Sequence, residues 1–127
     1  MKTFKKYYII PEVPEIVYKA LTTETTLKLW TGFDAEMKTE VDTEFSLWDG
    51  NICGKNLEFE KDKKIVQQWF FGEQEEASIV TIKLHKHKKG TSAELEHTNI
   101  PTEDYEAMIE GWNGTYFNDL IDFYTGE

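Results

Sequence analysis

The sequence predicts an α+β fold, an antiparallel meander with one apolar face covered by a long terminal helix. Three observations carry this. From Asp34 to Ile100 the apolar residues recur with period two, as in half-buried strands. The last segment spaces its large apolar residues at threes and fours through about six turns. Between the first strand and the meander stand two short helical stretches, an unusual order that narrows the architecture.

The elements follow in chain order. Residues 3–10 (TFKKYYII) read as a strand of bulky side chains closed by Pro11. Pro14 and Glu15 open a helix on which Ile16, Val17, Ala20 and Leu21 fall at helical spacing. Thr23 or Thr25 caps a second short helix, with Leu27 and Trp30 on one face and Gly32 as its stop. Asp49-Gly50, between Phe45–Trp48 and Asn51-Ile52, signals a tight hairpin. Further breaks fall at Asp62–Lys64, Glu73–Glu76 and Lys88–Gly90. Val80, Ile82 and Leu84 share one strand face, with Ile79, Thr81, Lys83 and His85 on the other; Ala93, Leu95 and His97 oppose Glu94 and Glu96. After Pro101, Thr102 is the expected cap of the terminal helix, and Glu103 and Asp104 suit its positive end. Tyr105, Met108, Ile109, Trp112, Tyr116, Leu120 and Phe123 form its inward stripe. Gly111 and Gly114 are unexpected there, each costing about 1 kcal/mol against alanine. Their expected reason is close approach of the helix backbone to the sheet or to a bound molecule.

Composition bounds the rest. A chain of 127 residues is the size of one domain, expected to span 1–127. Eighteen aromatics (four Trp, six Tyr, eight Phe) argue for a folded globule despite 30% charged residues. The formal charge is −10, and every one of the 14 cations is lysine. Nucleic acid and anionic membranes are therefore disfavoured as partners. One cysteine, Cys53, excludes an internal disulfide and fits a reducing, cytoplasmic compartment. The apolar run in MKTFKKYYII is too short for a signal peptide, and no run approaches membrane-spanning length.

The segments ALTTETTLKLWTG, FSLWDGNICGKNLEFEKDKKIVQQWFF, HTNIP and EGWNGTYFNDLIDFY give the chain a family resemblance. From about Ile10 to Tyr124 it resembles the small proteins similar to the C-terminal domain of the activator of the 90-kDa heat-shock protein ATPase. These belong to the START-like (SRPBCC) superfamily. The resemblance implies the helix-grip (START-like, Bet v-like) fold, a curved sheet around the C-terminal helix with a cavity between them. Superfamily members commonly hold lipids, hormones, polyketides or other apolar molecules there, but share no single ligand.

The candidate cavity set is Phe45, Leu47, Leu57, Trp69, Phe71, Val80, Ile82, Leu95, Met108, Trp112 and Tyr116. These side chains either line an apolar pocket with a few polar edges or simply fill a solid core. His97 joins the set by strand parity. It could orient a ligand carbonyl or donate a proton, but a buried histidine bonded to a helix side chain or a backbone carbonyl is the expected arrangement. His85 and His87 share a face and could begin a metal site, yet the lysines of KLHKHKKG oppose a dication, so no metal is assigned. Cys53 lacks an activating base and reads as a small buried hydrophobe. The carboxylates Asp34, Glu36, Glu40, Asp42 and Glu44 do not follow a calcium-loop pattern and read as a solvated edge. No cofactor or catalytic residue is expected.

Three functions stay open. One is a non-enzymatic module holding a small hydrophobic or amphipathic molecule; another is a chaperone-interacting protein, as the resemblance implies. A cavity enzyme is the third, for which two ionisable groups would have to converge. The charge is also unevenly placed: residues 90–127 hold nine acidic residues and no lysine, so nearly all of the net charge belongs to the last strand and the terminal helix.

Overall fold

The structure is a computed structural model describing residues 1–72 and 76–125. The expected break at Glu73–Glu76 therefore lies mostly outside the described residues. Among these, six strands form one antiparallel sheet: β1 (Lys2–Ile10), β2 (Glu44–Leu47), β3 (Ile52–Glu60), β4 (Lys64–Trp69), β5 (Ser78–His87) and β6 (Gly90–Ile100). Their spatial order is β1-β6-β5-β4-β3-β2, so the meander runs in sequence and β1 closes against its last strand. Helices α1 (Pro14–Thr22) and α2 (Glu24–Thr31) follow β1. This is the helix-grip architecture, as expected. Pro14 starts α1, Val17 and Leu21 bury its inner face, and Gly32 ends α2 at φ +78°, a left-handed angle that glycine adopts freely. Thr23, not Thr25, precedes α2, and without a side-chain cap.

The strand parity holds in β5 and β6. Val80, Ile82, Leu84, Ala93, Leu95 and His97 are all buried, opposite a more exposed outer row. One turn and one strand differ from expectation. The β2–β3 hairpin closes over four residues, Trp48–Asn51, because Leu47 pairs with Ile52. Trp48, Asp49 and Gly50 all take positive φ. The Trp48 ring turns inward to pack edge-on against Trp30 at 5.6 Å, burial that offsets the backbone cost. In β3 the register shifts between Asn56 and Glu58. Gly54 and Asn56 face inward before this bulge and Phe59 packs on the core after it, so parity across the strand is broken. Cys53 is accordingly half-buried on the outer side, its thiol 3.3 Å from the Gly50 carbonyl, and is not the buried hydrophobe expected.

The terminal helix is not uniform. A 3-10 turn (Thr102–Asp104) leads into α3 (Tyr105–Gly111), a π-turn (Trp112–Tyr116) and α4 (Phe117–Thr125). Thr102 lies inside the first turn and caps nothing; its hydroxyl accepts from the terminal amine of Met1. The π-turn fits an extra residue into one turn, which brings both Tyr116 and Phe117 to the inner face. The stripe continues through Leu120, and Phe123, expected inward, is 44% exposed. The glycines do not mark a close approach to the sheet: a Cβ on Gly111 or Gly114 would meet nothing within 4 Å, and Gly111 borders an apolar cleft.

Candidate functional site

Where the terminal helix crosses the sheet, one histidine joins the two. The Trp112 indole N–H donates to Nδ1 of His97 at 3.1 Å, so Nδ1 must be unprotonated. Nε2 then carries the hydrogen and donates to the Ser78 hydroxyl at 2.7 Å, which in turn donates to the Thr98 carbonyl at 3.1 Å. Each buried donor in this chain has an acceptor. Burial pushes the His97 pKa down to about 4, which holds the ring neutral. This is the structural histidine bonded to a helix side chain that strand parity suggested. Its helix partner is Trp112, and among the described residues no carboxylate shifts its titration.

A second polar chain runs alongside. Trp69 Nε1 donates to Gln67 at 3.0 Å, the Gln67 amide donates to Asn56 at 3.1 Å, and the Asn56 amide reaches the Lys38 carbonyl and Thr43. The two chains meet where Trp69 stacks on Trp112, ring centres 4.7 Å apart. Tyr116 packs on both indoles and on Trp30 and Trp48. Its hydroxyl pKa is raised by burial. At the other side of the π-turn, Asn113 accepts from Tyr8 at 2.7 Å and from Lys6 at 3.0 Å. Tyr8 itself stacks on Phe117 at 4.1 Å, and burial raises its pKa to about 12.

The predicted cavity residues are therefore divided. Phe45, Leu47, Trp69, Val80, Ile82, Leu95, His97, Trp112 and Tyr116 are all buried in one core cluster or bonded within it. Phe71 and Met108 lie half-buried against that cluster. Leu57 stands at the β3 bulge, half-buried and outside the cluster. Open space remains at one end, where an apolar cleft of about 230 Å³ separates the β2–β3 hairpin from α3 and the π-turn. Trp69, Met108, Trp112 and Tyr116 line it together with Trp48 and Ile52, two residues outside the expected cavity set. Trp48 was legible only as a strand end beside Asp49. Gln67 could have been found, since it alternates with Ile65 and Trp69 on the inward face. Ser78 sits at a strand start next to the Glu73–Glu76 break, where parity has no reference.

Four of the remaining candidates have local partners. His85 shares Glu94 with Lys5, and His87 accepts from the Lys89 amide. Asp34 pairs with Lys28, and Asp42 with Lys55. No group of three or more metal-ligating side chains converges among the described residues, and no helix there is long and apolar enough to cross a membrane.

Comparison with known proteins adds what geometry alone does not. Residues 13–123 match the family described as Activator of Hsp90 ATPase homolog 1-like protein. A human protein named activator of 90 kDa heat shock protein ATPase homolog 1 is 29% identical over 109 residues, covering 84% of this chain and 32% of that protein. A Dictyostelium discoideum protein named activator of 90 kDa heat shock protein ATPase homolog is 31% identical over 102 residues, 78% of this chain and 27% of that one. The chain thus spans about a third or less of the length of these relatives. Among solved structures, an HSP90 activator from Plasmodium falciparum superposes with a TM-score of 0.86 at 28% identity, covering 98% of this chain and 96% of the other.

Proposed function

We propose that this chain, which belongs to the Activator of Hsp90 ATPase homolog 1-like family, is a chaperone-binding module whose partner is an Hsp90-type ATPase. The observation that carries this is the match to the Plasmodium HSP90 activator along almost the full length of both chains. The packing adds support. The space under the terminal helix is filled by stacked indoles and two satisfied polar chains, which makes a rigid body suited to presenting a surface.

A second use is favoured by one feature, the apolar cleft at Trp48, Met108 and Trp112. Its volume of about 230 Å³ falls below the roughly 300–1,000 Å³ usual for small-molecule pockets, so its occupant would be a small apolar group.

Amide-shift titration of the labelled chain separates the two. Addition of a purified Hsp90-type chaperone should broaden or shift a contiguous surface set at micromolar concentration. A library of fatty acids, sterols and small aromatics should move only resonances around Trp69, Met108 and Trp112. If the chaperone produces no change at tenfold excess, chaperone binding is wrong.

A further inference from the structure

Outside the acidic C-terminal segment, the chain concentrates lysine. Seven of its 14 lysines fall in two short segments, residues 61–64 and 83–89. The β3–β4 turn and the end of β5 bring five of them, Lys61, Lys63, Lys64, Lys83 and Lys86, around an open depression of about 790 Å³, floored by Leu84 and Pro14.

Most of these cations are uncompensated. Lys64 and Lys83 are direct cross-strand partners of β4 and β5, an arrangement that costs stability. Glu58 neutralises Lys64 at 2.6 Å. The acidic neighbour of Lys83 on β6 is Glu94, whose two oxygens are already held by Lys5 at 3.4 Å and His85 at 2.9 Å. Lys61, Lys63, Lys83 and Lys86 therefore enter no ion pair among the described residues. The carboxylates of Glu15, Glu60 and Asp62 also border the depression and leave it net positive. A chain of net charge −10 thus keeps a recess with a small excess of positive charge.

We infer that this recess docks an acidic polypeptide segment of a partner protein. The choice among anions follows from the residue types and the shape. Lysines are point charges on flexible stems that meet dispersed carboxylates one by one, and the chain has no arginine to grip phosphate in a bidentate fork. An extended polyanion such as duplex nucleic acid or a membrane would also confront the nine acidic residues of 90–127. A narrow peptide meets only the recess, with Leu84 and Pro14 offering it an apolar floor. This rests on the partner's being a protein, as proposed above, and adds where and through what chemistry it is held.

The test uses a fluorescein-labelled peptide of alternating glutamate and glycine, followed by anisotropy. The wild-type chain should bind it saturably, weakening roughly tenfold between about 50 and 200 mM salt. The triple variant Lys61→Gln/Lys63→Gln/Lys86→Gln should bind at least about tenfold more weakly, a loss of about 1.4 kcal/mol. The remote variant Lys28→Gln/Lys55→Gln should bind as wild type. Circular dichroism melts of both variants establish that they fold. No peptide binding, equal loss in both variants, or preference for phosphatidylserine vesicles or single-stranded DNA would each overturn the inference. Self-association of the chain in place of peptide binding, seen by sedimentation, would also overturn it. Peptide binding without chaperone binding removes the proposed function and leaves the recess intact; chaperone binding unaffected by the triple variant does the reverse.

Discussion

The indole N–H of Trp112 points at Nδ1 of His97 across 3.1 Å, and this one bond sets the histidine tautomer and ties the terminal helix to β6. Both residues are fully buried. Replacing Trp112 with Phe keeps an aromatic ring against Trp69 but leaves Nδ1 without a donor. The expected cost is about 1–3 kcal/mol for the orphaned acceptor, with more for the lost ring volume. Urea denaturation at neutral pH measures it, and a loss under about 0.5 kcal/mol would show that the bond is not a tie.

The same burial makes stability depend on pH with a definite sign. His97 titrates near 4 in the folded chain and near 6.5 when unfolded. Above 6.5 neither state binds the proton, so nothing is lost. Between 6.5 and 4 the unfolded chain takes up a proton that the folded chain refuses, and stability falls as pH is lowered. Below 4 both states are protonated and the loss levels off, at a total of about 3 kcal/mol. Glu94, held below its usual range by the His85 hydrogen bond, adds a loss of the same sign lower still. The His97→Gln variant should flatten the profile of unfolding free energy between pH 6.5 and 4.5. A profile as steep as wild type would mean that another group carries it.

Gly111 and Gly114 should accept side chains. Each has helical surroundings and open space where a Cβ would go, so alanine at either position should stabilise by about 0.5–1 kcal/mol. A rise in Tm of a few degrees for each single variant is the expected reading. A fall would mean that the π-turn itself requires glycine.

Gly54 is the opposite case. It is buried opposite Trp69 in the β3–β4 register, and a Cβ there would overlap the Gln68 carbonyl and the Phe45 ring. Alanine should destabilise by about 1–3 kcal/mol or more, because backbone cannot yield as a flexible side chain does. Thermal melts of Gly54→Ala beside Gly111→Ala make a direct contrast between a packed and an unpacked glycine.

These contrasts also show what the sequence could carry. Wherever period or punctuation is strong, the element was legible: Pro14 opens α1, Gly32 ends α2, and the alternation from Val80 to His97 places the inner face. The misplaced faces share one physical cause, an extra residue that changes the phase. The β3 bulge turns Cys53 outward and leaves Leu57 beside the core, and the π-turn brings Phe117 in and sends Phe123 out. A strict period cannot register such an insertion. Polar pairing was hidden for a different reason. Asn56, Gln67 and Ser78 look like ordinary strand residues until the fold places Trp69, His97 and Thr98 beside them.

Calorimetric titration of the purified chain into a purified Hsp90-type chaperone tests the central claim most directly. A saturable isotherm with micromolar affinity, weakened by added salt, is the predicted result. An absence of saturable heat at low salt, with both proteins shown to be folded, would contradict it.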